Sequence, residues 1–184
     1  PSQSSAASDV YKRQVADNLV LSDRPVLAAP HLVVAASEAS GADAAANAKA
    51  LLDQAEELLE RNVGPEEADE AWRWRAMLYK ARVRHAMQEG DLQAFDSASA
   101  ALVEVGTEAA HMPTLAFALE TQVVSCFEQK DWARMQRQAE ARVALEPGKP
   151  SVDALGLRSW ARVMAAYGSG DTADALKAIE DARK

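Results

Sequence analysis

Three histidines, one cysteine and an arginine-tryptophan run are the residues of this 184-residue chain with the widest chemical options. His31, His85 and His111 lie far apart, and none falls in the His-Glu-x-x-His or Cys-x-x-Cys spacing that prepares a zinc site. His85 and Glu89 are four apart and share a helix face, so a neighbouring helix could complete a metal site. The simpler reading is an exposed helix pair near a turn. No Gly-x-x-x-x-Gly-Lys phosphate cradle and no Gly-x-Ser-x-Gly elbow is present, and no Ser/His/Asp set can be assembled. The expectation is therefore a chain that is not an enzyme and carries no metal or other cofactor.

Cys126, within Val123-Val124-Ser125-Cys126-Phe127, reads as a small buried hydrophobe rather than a reactive thiol. A lone cysteine excludes an internal disulfide and suits a reducing, cytoplasmic compartment. Trp72-Arg73-Trp74-Arg75, continued by Tyr79, Lys80, Arg82 and Arg84, mixes rings and cations that could stack on nucleotides or neutralise acidic peptides. Helical spacing spreads these groups around a cylinder, so the expected arrangement is aromatics in the core and arginines paired with the acidic helix before them. The carboxylates from Asp53 to Glu70 lack the alternating ligands and central glycine of a calcium loop, and read as a solvated helix face.

Twenty lysines and arginines against 28 aspartates and glutamates give a net charge of −8. That balance disfavours general nucleic-acid binding, which needs a basic surface to neutralise phosphates. The longest apolar stretch, Val26 to Ala36, is interrupted by Pro30 and His31 and is too short to span a bilayer. The expected partner is a protein or peptide, with no nucleic acid and no membrane; the oligomeric state is left open.

Helices must position these residues, because apolar residues recur at three and four positions and no segment alternates as a strand would. Leu51, Leu52, Ala55, Leu58 and Leu59 mark the buried stripe of one such helix. Predicted helices run from Pro30 to Ser40, from Ala44 (capped by Asp43) to Arg61, and from Ala68 to Glu89. Further helices follow from Asp91 to Val105, with a loop through Gly106, then from Pro113 to Gln129, Asp131 to Leu145, Ser151 to Tyr167, and from Asp171 onward. Alanine supplies much of the 48% hydrophobic content and aromatics only 5%, so close helix contacts through small side chains are expected.

The turns Gly90-Asp91-Leu92, Lys130-Asp131-Trp132 and Ser169-Gly170-Asp171 place their aspartates forty residues apart. A fixed period with helices on both sides of each turn is the mark of stacked helix pairs. Each aspartate is placed to N-cap the second helix of its pair. Superposing the units aligns Val83/Val123/Val163, Met87/Phe127/Tyr167 and the small Ala76/Ala116/Gly156, columns expected on the buried side. The column Arg82/Gln122/Arg162 is polar in every unit and would form a ladder along one face.

This pattern resembles a tetratricopeptide-type repeat: a helix, a short Gly-Asp turn, a second helix with small residues, and a terminating proline as in Ala144-Leu145-Glu146-Pro147. Its period exceeds the common 34-residue unit, and the polar column stands where that family usually places an apolar residue. Over residues 26–145, Gly90-Asp91-Leu92-Gln93-Ala94-Phe95-Asp96, Met112-Pro113-Thr114-Leu115-Ala116-Phe117 and Asp131-Trp132-Ala133 are similar to helical repeats behind the nucleotide-binding module of bacterial ATPase-linked adenylyl cyclases and LuxR or MalT-like regulators. That resemblance implies a sensing or scaffold segment. Residues 4–14 resemble the translation of a transposase adapter used in sequencing libraries, which implies that the natural chain continued upstream.

The expected fold is thus an all-α helix-pair repeat solenoid of seven or eight antiparallel helices. Residues 1–14 are expected to be a disordered artefact, residues 15–29 an irregular or frayed helix, and residues 30–184 the array, with pairs at 30–61, 68–105, 113–145 and 151–183. The expected function is a protein-interaction or regulatory scaffold segment of a larger signalling protein, the alternative being an effector-sensing segment of a nucleotide-dependent transcription regulator or cyclase, with an all-α enzyme as the third reading. Arg82, Gln122 and Arg162 are the candidate partner-binding ladder, with Phe127, Trp160 and Tyr167 as candidate aromatic anchors.

Overall fold

A computed structural model describes residues 14–39 and 43–182, and every regular element among them is helical. A helical run over 14–20 (α1) leads through a 3-10 turn, Pro25–Leu27, to α2 (Ala28–Glu38). There follow α3 (Ala44–Arg61), α4 (Ala68–Glu89), α5 (Leu92–Glu108), α6 (Met112–Glu128), α7 (Trp132–Ala144), α8 (Val152–Gly168) and α9 (Thr172–Ala182). Residues 1–13 of the expected artefact segment lie outside the described residues, as do Ser40 and Gly41, where α2 was expected to end. Pro30 is accommodated in the first turn of α2, where its missing N–H leaves no bond unmade.

The chain divides into two compact units, Pro1–Ala94 and Phe95–Lys184, with the boundary inside α5. In the first, α2, α3 and α4 pack against one another and the 3-10 turn lies on α2 and α3. The stripe expected on α3 is buried there, with Leu32, Val33 and Leu78 beside it and Trp74 and Tyr79 closing its edge. Arg24 pairs with the buried carboxylate of Glu67 through Nε at 2.7 Å, which ties the loop before the 3-10 turn to the start of α4.

In the second unit α6, α7, α8 and α9 pack each against the next, and α6 also touches α8. Its core gathers Val123, Cys126, Met135, Ala139 and Ala161, rimmed by Phe127, Trp132, Leu157, Trp160 and Met164. Helix α5 buries Phe95, Ala98, Leu102 and Val105 and also makes polar contacts: Asp96 accepts from Ser125 Oγ and from Arg134 Nη1, both at 2.9 Å.

One turn design recurs through these helices. Asp91, Asp131 and Asp171 accept from the backbone N–H three residues on, at 2.9, 3.1 and 2.9 Å. His111 and Ser151 do the same for Thr114 and Ala154, at 3.3 Å each. The capping residues 91, 111, 131, 151 and 171 are twenty residues apart, so the forty-residue period is two equal helix-and-turn steps. At four of the five turns the capping residue's N–H also returns to a carbonyl five residues back, on Ala86, Gly106, Cys126 and Ala166. All four of these residues are buried and small. The residue before each of these caps is left-handed, with φ of 70° at Gly90, 49° at Ala110, 57° at Lys130 and 80° at Gly170, the C-terminal lock that leaves the last carbonyls satisfied.

Several sequence expectations need correction. Asp43 precedes α3, but its carboxylate makes no capping bond. Gly106 is not in a loop: α5 continues through it, and a Cβ there would lie 2.9 Å from the Leu115 nitrogen, so the glycine marks a close helix approach. The column Met87/Phe127/Tyr167 is not a buried stripe, since Met87 and Tyr167 are exposed. Val83 and Val123 are buried and Val163 half-buried. Gly156 faces open space, so it serves no close approach. The buried small column is the neighbouring one, Ala86/Cys126/Ala166, whose carbonyls accept the returning N–H groups.

Candidate functional site

The ladder residues do not share one environment. Arg82 reaches from α4 to Asp53 and Glu56 on α3, with Nη2 at 2.9 Å from Asp53, while its Nε is buried without a partner. Burial alone would raise Asp53, but hydrogen bonds from Lys49 and Arg82 bring it below its ordinary value. Tyr79, beside this group, is raised by burial and by the charge of Glu56. Gln122 is buried at 5% exposure and presents no side chain to a partner. Arg162 is exposed and donates from Nη2 to Glu140 on α7 at 2.6 Å.

The aromatic candidates also separate. Phe127 lies 5.0 Å from the Trp160 ring and 6.1 Å, edge to face, from Trp132. These three rings belong to the rim of the second unit's core. Trp132 rests against Gly168, where a Cβ would stand 2.2 Å from the indole, so α8 needs glycine at that point. Tyr167, one residue earlier, is 69% exposed.

Arg162 helps to line a cleft that has no counterpart in the expected ladder. On α7, Ala133, Gln136, Arg137 and Glu140 follow the spacing of one helix face, opposite Arg158 and Arg162 on α8, around a volume of about 590 Å³. An adjoining hollow of about 320 Å³ extends past Gln136, Arg158, Ser159 and Arg162 to Asp174, Lys177, Ala178 and Asp181 on α9. Glu140 accepts from Arg162 and sits 3.9 Å from Arg158, so one carboxylate answers two guanidinium groups. Sequence reading picked out Arg162 alone. The four-residue spacing of Arg158 and Arg162, opposite Arg137 and Glu140, was the available signal.

A polar clamp ties α6, α7 and the loop before α8. Arg142, almost fully buried, donates from Nε to Glu120 at 2.7 Å and from Nη1 to Glu146 at 2.6 Å. Glu146 also accepts from the N–H and hydroxyl of Ser151, which closes the loop Pro147-Gly148-Lys149-Pro150 onto the end of α7. The Arg142 bond first, then those from Ser151, hold the Glu146 carboxyl down at about 2 against an ordinary 4.5.

A second polar hollow, about 340 Å³, lies within the first unit and includes His85 and Glu89 among its walls. Cys126 is fully buried in the second unit's core, and burial pushes its thiol up. No group of three His, Cys, Asp or Glu side chains able to hold a metal occurs among the described residues. No helix among them is long and apolar enough to cross a membrane. No family model matches the chain, and neither curated proteins nor solved structures yield a match.

Proposed function

We propose that this chain is a non-catalytic protein-interaction segment built as a tetratricopeptide-like array of helix pairs. The observation that carries the reading is the α7–α8–α9 cleft, where three rigidly capped helices present a solvent-open row of cations above a core that has taken the aromatic rings inward. A preformed helical surface binds a peptide without the entropic cost of ordering the receptor. The twenty-residue spacing of the caps supports the array, because α5 to α9 each begin on a side-chain cap and four of the five turns before them close with the same returning bond.

Selection of a displayed random-peptide library on the purified chain tests this reading. The expected result is enrichment of a shared motif whose binding depends on residues of α7, α8 or α9. Enrichment no greater than on a control helical protein of equal net charge would overturn it.

A further inference from the structure

We infer that the α7–α8–α9 cleft binds an acidic peptide segment, and that Glu140 is the internal carboxylate such a segment displaces between Arg158 and Arg162. This rests on the interaction reading above and adds the partner's chemistry.

The cleft already shows how it holds a carboxylate. The two oxygens of Glu140 are shared out, one 2.6 Å from Arg162 and the other 3.9 Å from Arg158. The second distance is long, so Arg158 is left poorly answered. Arg137 and Lys177, on the flanking helices, are exposed and have no hydrogen bond or ion pair among the described residues. The lining thus has four cations against Glu140, Asp174 and Asp181, a local positive excess on a chain of net charge −8. Such an inverted patch attracts an anionic ligand by complementarity and speeds its encounter.

The spacing favours a peptide. Arg158 and Arg162 stand one helical turn apart, a rise of about 6 Å. Carboxylates two residues apart on one side of an extended segment are about 6.6 Å apart, so an acidic residue at alternate positions meets both guanidinium groups. A single-stranded nucleic acid would require rings to stack its bases, and the nearby Trp132 and Trp160 are packed against Phe127 at the core's rim.

Anisotropy of a fluorescein-labelled hexaglutamate peptide, titrated with the full chain, tests the inference. Binding is expected at low salt, weakening as salt is added. Arg158→Glu with Arg162→Glu should remove it, while Lys49→Glu with Arg61→Glu, which changes net charge equally on the first unit, should leave it in place. Glu140→Gln should tighten binding by about two- to fivefold, the scale of one exposed ion pair. If the glutamate pair fails to fold by circular dichroism, Arg158→Gln with Arg162→Gln carries the same expectation.

Absent binding by the natural sequence, equal weakening by both charge-matched pairs, or unchanged binding by the cleft pair would each overturn the inference. So would tighter, cleft-dependent binding of a labelled oligothymidylate of the same length. In any of these cases a motif enriched by the display selection would leave the interaction reading standing, whereas failure of that selection removes the reading itself.

Discussion

Arg142 is a buried cation at the position where the preceding forty-residue unit has Leu102, fully buried. It is tolerated there because Glu120 and Glu146 supply charge and hydrogen bonds together. Glu146 makes the arrangement sensitive to acid. Its folded value lies at about 2, below the ordinary 4.5, so the folded state holds the ionised form more firmly than the unfolded chain does. Its stabilisation is complete above about pH 4.5 and is lost as pH falls toward 2. Urea unfolding of the natural sequence and of Glu146→Gln across this range should show a gap that narrows as acid is added; a constant gap would contradict the clamp. Gly168 gives a second test at this scale. An alanine methyl there would collide with the Trp132 indole, so Gly168→Ala should lower stability by about 1–3 kcal/mol, the scale of core overpacking, even though alanine ordinarily favours helix.

At the scale of the helix, side-chain caps set where α5 to α9 begin. Asp131→Ala removes the acceptor for the Arg134 N–H and should cost about 0.5–2 kcal/mol in denaturant unfolding, with Asp91→Ala and Asp171→Ala behaving alike. Ala110 and Lys130 occupy left-handed positions that glycine fills at residues 90 and 170. Ala110→Gly and Lys130→Gly should therefore hold or raise stability, by up to about 1 kcal/mol, and a marked loss would contradict the positive φ.

The three aspartates were legible because one residue type at equal spacing is a strong signal. The intermediate caps were not, because His111 follows Ala109-Ala110 rather than glycine and Ser151 follows a proline loop, so composition concealed the shared backbone. The helix boundaries emerged within a few residues from periodicity and breakers. The ladder was less legible: Arg82, Gln122 and Arg162 occupy one column, yet local acids and burial give each a different surrounding. Column identity fixes a backbone position, while the use of a side chain depends on the helix beside it.

For the molecule as a whole, a single twenty-residue step of cap, helix and left-handed residue generates the chain from α5 onward, with a proline loop replacing the lock before α8. Each unit shows helices packed on their sequence neighbours, and the basic cleft is a local feature laid over this frame. Backbone NMR torsion angles test the step most directly. Positive φ is expected at residues 90, 110, 130 and 170, with helical shifts resuming after residues 91, 111, 131, 151 and 171. Helical shifts running unbroken through any of those turns, or extended-strand shifts in the segments between them, would contradict it.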